Sequence, residues 1–146
     1  MRYLGLDVGD VRIGVALSDE TGTLASGLPT LEAAGPRRDA QAVAALVREH
    51  GVREVVVGVP LRLDGSPGSQ ARKVIGFVER LRRVLRVPVV TRDERLTSVA
   101  ARERLAEAGG RRRVGKDRLD RAAATLILQE YLDERKAAVA REEGSR

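Results

Sequence analysis

Cysteine and tryptophan are absent from this chain of 146 residues, and histidine occurs once, at position 50. Without thiols there is neither a disulfide framework nor a sulfur-ligated zinc site, so apolar burial alone has to hold the core. His50 falls in the last turn of a predicted helix, where a lone imidazole serves the helix dipole rather than a metal or a proton transfer. Aromatic rings are almost as scarce. Tyr3, Phe77 and Tyr131 are the whole set, each inside an apolar pattern that reads as core. A stacking platform for bases is thereby excluded, and a nucleic-acid partner would be held through arginine contacts to phosphate and through shape. No apolar run is long enough to span a bilayer, and the acid at position 7 interrupts any signal-peptide core. The reading is a cytoplasmic protein with no membrane partner.

Charge is abundant and unbalanced. The chain carries 27 Lys and Arg against 21 Asp and Glu, a formal +6, which favours nucleic acid or another polyanion as partner. Nearly all the positive charge is arginine, since Lys73, Lys116 and Lys136 are the only lysines. A hydrophobic content of 42% supports one core. No internal repeat or interdomain linker is visible, so residues 1–136 are expected to form one domain and 137–146 a charged, frayed tail.

Hydrophobic periodicity predicts the order of elements. Arg2 to Val8 and Arg12 to Leu17 read as an antiparallel pair joined at Gly9-Asp10, and Leu24 to Leu31 as a third strand kept to an edge by Pro29. A helix begins with Pro36 in its first turn and stops at Gly51. Glu54 to Pro60 is a β-branched run expected at the centre of the sheet, parallel to the first strand. Ser66-Pro67 reads as the cap of a second helix, with Val74, Phe77, Val78, Leu81 and Leu85 on one face. Val87 to Val90 follows as a short strand. A further helix is expected from Thr97 or Ser98 to Gly109-Gly110, and a last one from Lys116 to about Lys136. Three strands, helix, strand, helix, strand and helices together imply a three-layer α/β domain with a mixed five-stranded sheet covered on both faces.

Four acids stand out against this pattern. Asp7 ends a buried strand, where an uncompensated charge is expensive, and a metal ion compensates several acids at once. Asp93-Glu94 follows a strand beside the carboxyl ends of the parallel strands; from spacing alone either could face a site, with Glu94 preferred. Asp117 and Asp120 open the last helix three residues apart. For Asp117 a first-turn role toward the helix dipole is as good a reading as ligation, whereas Asp120, beside Ala123 and Ala124, favours function. Oxygen ligands without sulfur or histidine suit Mg²⁺ or Mn²⁺. Arg12, Arg95, the run Arg111, Arg112 and Arg113, and Lys116 are candidate phosphate contacts.

These motifs resemble those of the YqgF/RuvX family, Holliday junction resolvases also described as pre-16S rRNA nucleases. The likeness is carried by Asp7-Val8-Gly9, Arg12-Ile13-Gly14-Val15-Ala16 with Ser18-Asp19, Gly58-Val59-Pro60-Leu61 with Asp64-Gly65, Asp93-Glu94-Arg95-Leu96-Thr97, and Asp120 with Ala122-Ala123 and Ile127-Leu128. It spans nearly all of residues 1–132. The resemblance implies an RNase H-like fold and a metal-dependent nuclease in which Asp7, Glu94 and Asp120 are the catalytic, metal-binding acids. Asp117 is similar to one of the paired acids of the resolvase RuvC. The implied role is maturation of the 5′ end of small-subunit ribosomal RNA, on pre-rRNA or ribosomal precursor particles. Cleavage of four-way DNA junctions is the alternative, and it would favour a homodimer over a monomer. A non-catalytic binding factor in transcription or ribosome assembly is a further reading. The sugar kinases and actin-like ATPases also open on Asp-x-Gly, but they need a second related domain.

Overall fold

The computed structural model describes residues 1–95 and 116–144, and for 116–120 the backbone only. Five strands form one sheet in the order β3-β2-β1-β4-β5. They are β1 Arg2–Val8, β2 Arg12–Ser18, β3 Ala25–Glu32, β4 Val52–Val59 and β5 Val89–Asp93. Among the described residues the helices are α1 Pro36–His50, α2 Ser69–Val84 and α3 Lys116–Gly144.

The leading strands pair antiparallel, with Leu6 opposite Val15 and Asp7 opposite Gly14. The turn between them closes through a bond from the Gly9 N–H to the Arg12 carbonyl at 2.9 Å. β3 is the edge strand that Pro29 requires. Between the pairs Ile13–Leu31 and Val15–Leu28 it spends one more residue than β2, a bulge that absorbs the missing donor of the proline. β4 lies parallel between β1 and β5, with Leu6 level with Val57 and Gly58 level with Arg92.

Strand alternation divides the core. Leu4, Leu6, Ile13, Val15, Val55 and Val57 point to the face covered by Val43 of α1 and Val74, Val78 and Leu81 of α2. Tyr3, Ala16 and Val56 point the other way, against Ala123, Ala124, Ile127 and Leu128 of α3. This is the predicted three-layer arrangement, and it follows from the period of two along each strand.

Several boundaries differ from expectation. Ser66 does not cap α2: its hydroxyl and N–H both bond Asp64 Oδ1, at 2.6 and 2.9 Å. The helix starts two residues later than expected, behind Gly68, because the Asp64 side chain offers the serine a closer, local acceptor. β5 runs on to Asp93, three residues past the predicted end, since backbone pairing with β4 continues where hydrophobicity stops. α3 continues to Gly144, eight residues past Lys136, with all of 133–144 exposed. There the chain keeps good helix formers after leaving the sheet. The helix expected from Thr97 or Ser98 to Gly109-Gly110 lies outside the described residues.

Gly76, on the outer side of α2, is exposed and would meet nothing within 4 Å if given a side chain. Gly76→Ala is therefore expected to raise the free energy of unfolding by about 0.5–1 kcal/mol, read from urea denaturation.

Candidate metal and nucleic-acid site at the carboxyl edge of the sheet

β1, β4 and β5 are parallel, so their carboxyl ends share one edge of the sheet, the position at which open α/β sheets place their ligands. One residue beyond the Leu6–Val57 pair, Asp7 of β1 comes level with Gly58 of β4. The Gly9 turn follows directly. Asp7 is half-buried and lies on the α3 side, because it alternates with Tyr3 and Gly5 along β1.

Glu94 follows β5 and is held to β4 by its N–H, which donates to the Val59 carbonyl at 3.0 Å. Only 4% of it is exposed. Its side chain lies over Gly58: a Cβ there would stand 3.0 Å from Glu94 Cγ and 2.7 Å from Ile127 Cδ1 of α3. The absent side chain of Gly58 therefore leaves the space through which the Glu94 side chain passes. Gly58→Ala is expected to push Ile127 and Glu94 outward and to cost about 1–3 kcal/mol of stability, measured by urea denaturation.

The two neighbouring acids have different partners. Asp93 is exposed and its carboxylate is engaged locally, Oδ1 accepting the Arg95 N–H at 3.0 Å and Oδ2 lying 3.1 Å from Arg95 Nε. Glu94 turns inward, and its Oε1 accepts a bond from Arg92 Nη1 at 2.7 Å. Arg92 also reaches α3, with Nη2 at 3.1 Å from Glu130 Oε2 and paired with Glu134. Burial works against the Arg92 charge, but the hydrogen bonds it donates to Glu134 and Glu94 outweigh this and hold the guanidinium above its ordinary range.

Arg92 was not among the residues singled out in the sequence. Its signal was present, an arginine two positions before an acid after a β-branched run. Ending that strand at Val90 left Arg92 outside the sheet and hid the shared face.

The candidate phosphate contacts divide. Arg12 lies in β2 just past the Gly9 turn, at the same edge as Asp7, and pairs in register with Glu32. Arg95 reaches across to the loop after β4, where its guanidinium occupies the place that a side chain on Gly65 would take. Gly65 has φ +88°, a conformation glycine adopts without strain. Arg111, Arg112 and Arg113 lie outside the described residues. Lys116, Asp117 and Asp120 are in α3, but their side chains are not described. Among the described residues no group of three His, Cys, Asp or Glu is gathered closely enough to hold a metal ion.

Residues 1–134 match the family described as RuvX, Holliday junction resolvase. A protein of Chloroflexus aggregans named "Putative pre-16S rRNA nuclease" is 49% identical over 133 residues, 91% of this chain and 94% of that one. Another of that name, from Caldanaerobacter subterraneus, is 48% identical over 141 residues, 93% and 99% of the two chains. Among solved structures, RuvC of T. thermophilus in complex with a Holliday junction substrate superposes with a TM-score of 0.58 at 19% identity, covering 93% of this chain and 96% of that one. The fowlpox virus resolvase, also with junction DNA, gives 0.56 at 13% identity over 92% and 98%. At these identities the likeness establishes the fold, which is RNase H-like.

Proposed function

The chain belongs to the RuvX family, and we propose that it is a divalent-metal-dependent nuclease that hydrolyses phosphodiester bonds in maturing the 5′ end of pre-16S ribosomal RNA. The observation that carries this reading is the seating of Glu94, a carboxylate only 4% exposed, in the gap left by Gly58 and one strand away from Asp7. A carboxylate this deeply placed needs compensating positive charge, which Arg92 supplies to one of its oxygens and a metal ion would complete. The names of the near-full-length relatives support the RNA substrate.

The donor set fits Mg²⁺ or Mn²⁺: carboxylate oxygens, with no cysteine anywhere in the chain to recruit a softer metal. Asp7 and Glu94 would hold it, with Asp120 as third ligand and Asp117 as a less central fourth. The course of α3 supports Asp120. Tyr131 packs edge-on to Tyr3 with ring centroids 6.4 Å apart, and the Ala124 carbonyl lies 3.2 Å from a Cβ on Gly5, so α3 runs antiparallel to β1. From Gly5 to Asp7 is about 6.6 Å of strand and from Ala124 back to Asp120 about 6 Å of helix, which brings residue 120 level with Asp7.

When bound, such an ion lowers the pKa of a water and offsets charge on the phosphate. The protein's own part is to fix the carboxylates and grip the strand. Gly58 and Ile127 confine the Glu94 side chain, and the backbone ladder to Gly14 fixes the origin of Asp7. Arg12 and Arg95 stand at the same edge, where arginine forks suit phosphate oxygens; Arg111 to Arg113 and Lys116 would extend that grip.

The test incubates purified protein with Mn²⁺ or Mg²⁺ and, separately, a pre-16S rRNA fragment, single-stranded DNA and a four-way DNA junction. Metal-dependent cutting of the rRNA precursor at its 5′ side is expected. Preferential cutting of the junction would replace this reading with the resolvase. Binding without cleavage of any substrate would leave a non-catalytic factor.

A further inference from the structure

Beyond the acids themselves, the most heavily committed charged group near the site is Arg92. Its side chain is only 14% exposed. One guanidinium nitrogen lies 2.7 Å from Glu94 Oε1, and the other engages Glu130 and Glu134 of α3. Its Nε is buried without a hydrogen-bond partner among the described residues, a cost that a group placed only for packing would avoid. Arg92 therefore has one arm on the proposed ligand and the other on the helix that carries Asp120.

A cation at hydrogen-bond distance from a metal ligand has two effects. It fixes the orientation of the carboxylate, as outer partners of metal ligands do. It also competes, because a positive charge on Oε1 offsets part of the attraction that Glu94 exerts on an incoming divalent ion. Glu130 and Glu134 share the guanidinium and tie Glu94 to α3, so the clamp spans the two elements that the site has to hold in register.

We propose that Arg92 is a positioning residue that acts as an internal counter-cation to Glu94, setting the orientation of this carboxylate while holding the affinity for divalent metal down. A site restrained in this way takes up and releases its ion readily instead of trapping it. The inference rests on Glu94 being a metal ligand, as proposed above.

The experiment measures Mn²⁺ affinity of the full chain by electron paramagnetic resonance of the free ion, alongside the melting temperature. Wild type is compared with Asp7→Asn, Glu94→Gln, Arg92→Met, Arg92→Gln and Arg92→Lys. Arg92→Met and Arg92→Gln, which remove the charge, are expected to bind Mn²⁺ about tenfold more tightly while melting at lower temperature. Arg92→Lys, which keeps the charge, is expected to stay near wild type. Tighter binding that is lost again when Asp7→Asn is added to Arg92→Gln is a result that a purely structural arginine, whose removal would free Glu130 and Glu134 to take up Mn²⁺ away from Asp7, would not produce. Gln keeps a hydrogen-bond donor toward Glu94, so it carries the test if the Met variant does not fold. Unchanged or weaker affinity in the neutral variants that fold overturns the inference and leaves the nuclease reading intact. Wild-type binding that ignores both Asp7→Asn and Glu94→Gln overturns the two together.

Discussion

Asp7→Asn is expected to lower metal-dependent cleavage by at least about 100-fold, more than follows from disturbing only the outer partner of a metal ligand, with the melting temperature within a few degrees of wild type. The substitution keeps shape and removes charge. Asp7 is anchored through its backbone, in register with Gly14 of β2, and an asparagine keeps that ladder. What it loses is the anionic oxygen at the carboxyl end of β1, where no histidine or cysteine stands in. Rates on the rRNA precursor at saturating Mn²⁺, with circular dichroism on the same samples, check both halves. Residual cutting equal to wild type would mean that the activity belongs to a contaminant or that the site lies elsewhere. A large drop in melting temperature would make Asp7 a structural residue instead.

The second large effect concerns how α3 reaches the sheet. Gly5→Val is expected to destabilise the protein by about 3 kcal/mol, at the upper end of what overpacking a core costs. A Cβ at Gly5 would stand 2.7 Å from Leu128 Cβ and 3.2 Å from the Ala124 carbonyl. Both neighbours are fixed by the helix backbone, so no rotamer change relieves the contact. Valine suits a strand better than glycine does, and the change also trims the freedom of the unfolded chain; a net loss would therefore report the clash. Since α3 carries Asp120 and pairs with Arg92 through Glu130 and Glu134, lifting it from β1 should also weaken Mn²⁺ binding. Urea denaturation and Mn²⁺ titration of one preparation measure the two losses. Stability within 1 kcal/mol of wild type would show that α3 can shift at no cost.

Local pattern was enough wherever burial on one or two faces repeats along an element. β1, β2 and β4 were legible because their apolar runs are bounded by turn formers, although β1 and not β4 takes the centre of the sheet; β3 was legible because Pro29 permits only an edge. α1 was legible at both ends, from Pro36 in the first turn and from Gly51, which takes the left-handed conformation at φ 61°. The errors fell where a side chain had a competing partner or where pairing outlasted hydrophobicity. Ser66 bonded Asp64 instead of capping α2, and β5 ran through Thr91 and Arg92, which no apolar pattern marks.

The candidate site divides the same way. Asp7 was visible as an acid ending an apolar run and Glu94 as one of two acids following a short strand, and the choice of Glu94 over Asp93 was a preference that spacing could not decide. In the fold the two carboxylates diverge, Asp93 to the neighbouring Arg95 and Glu94 inward over Gly58.

The sequence by itself determined the type of chemistry available: oxygen ligands only, a basic surface, no stacking platform, and a strand and helix order that fits one sheet with two covered faces. These follow from composition and periodicity, which are local properties of the chain. Only the tertiary structure decided that Gly58 leaves the space in which Glu94 sits, and that Arg92 joins this acid to α3. Residues 58, 92, 94 and 127 meet through parallel pairing of β4 with β5 and the close approach of a helix, contacts between segments far apart in sequence that no local pattern encodes.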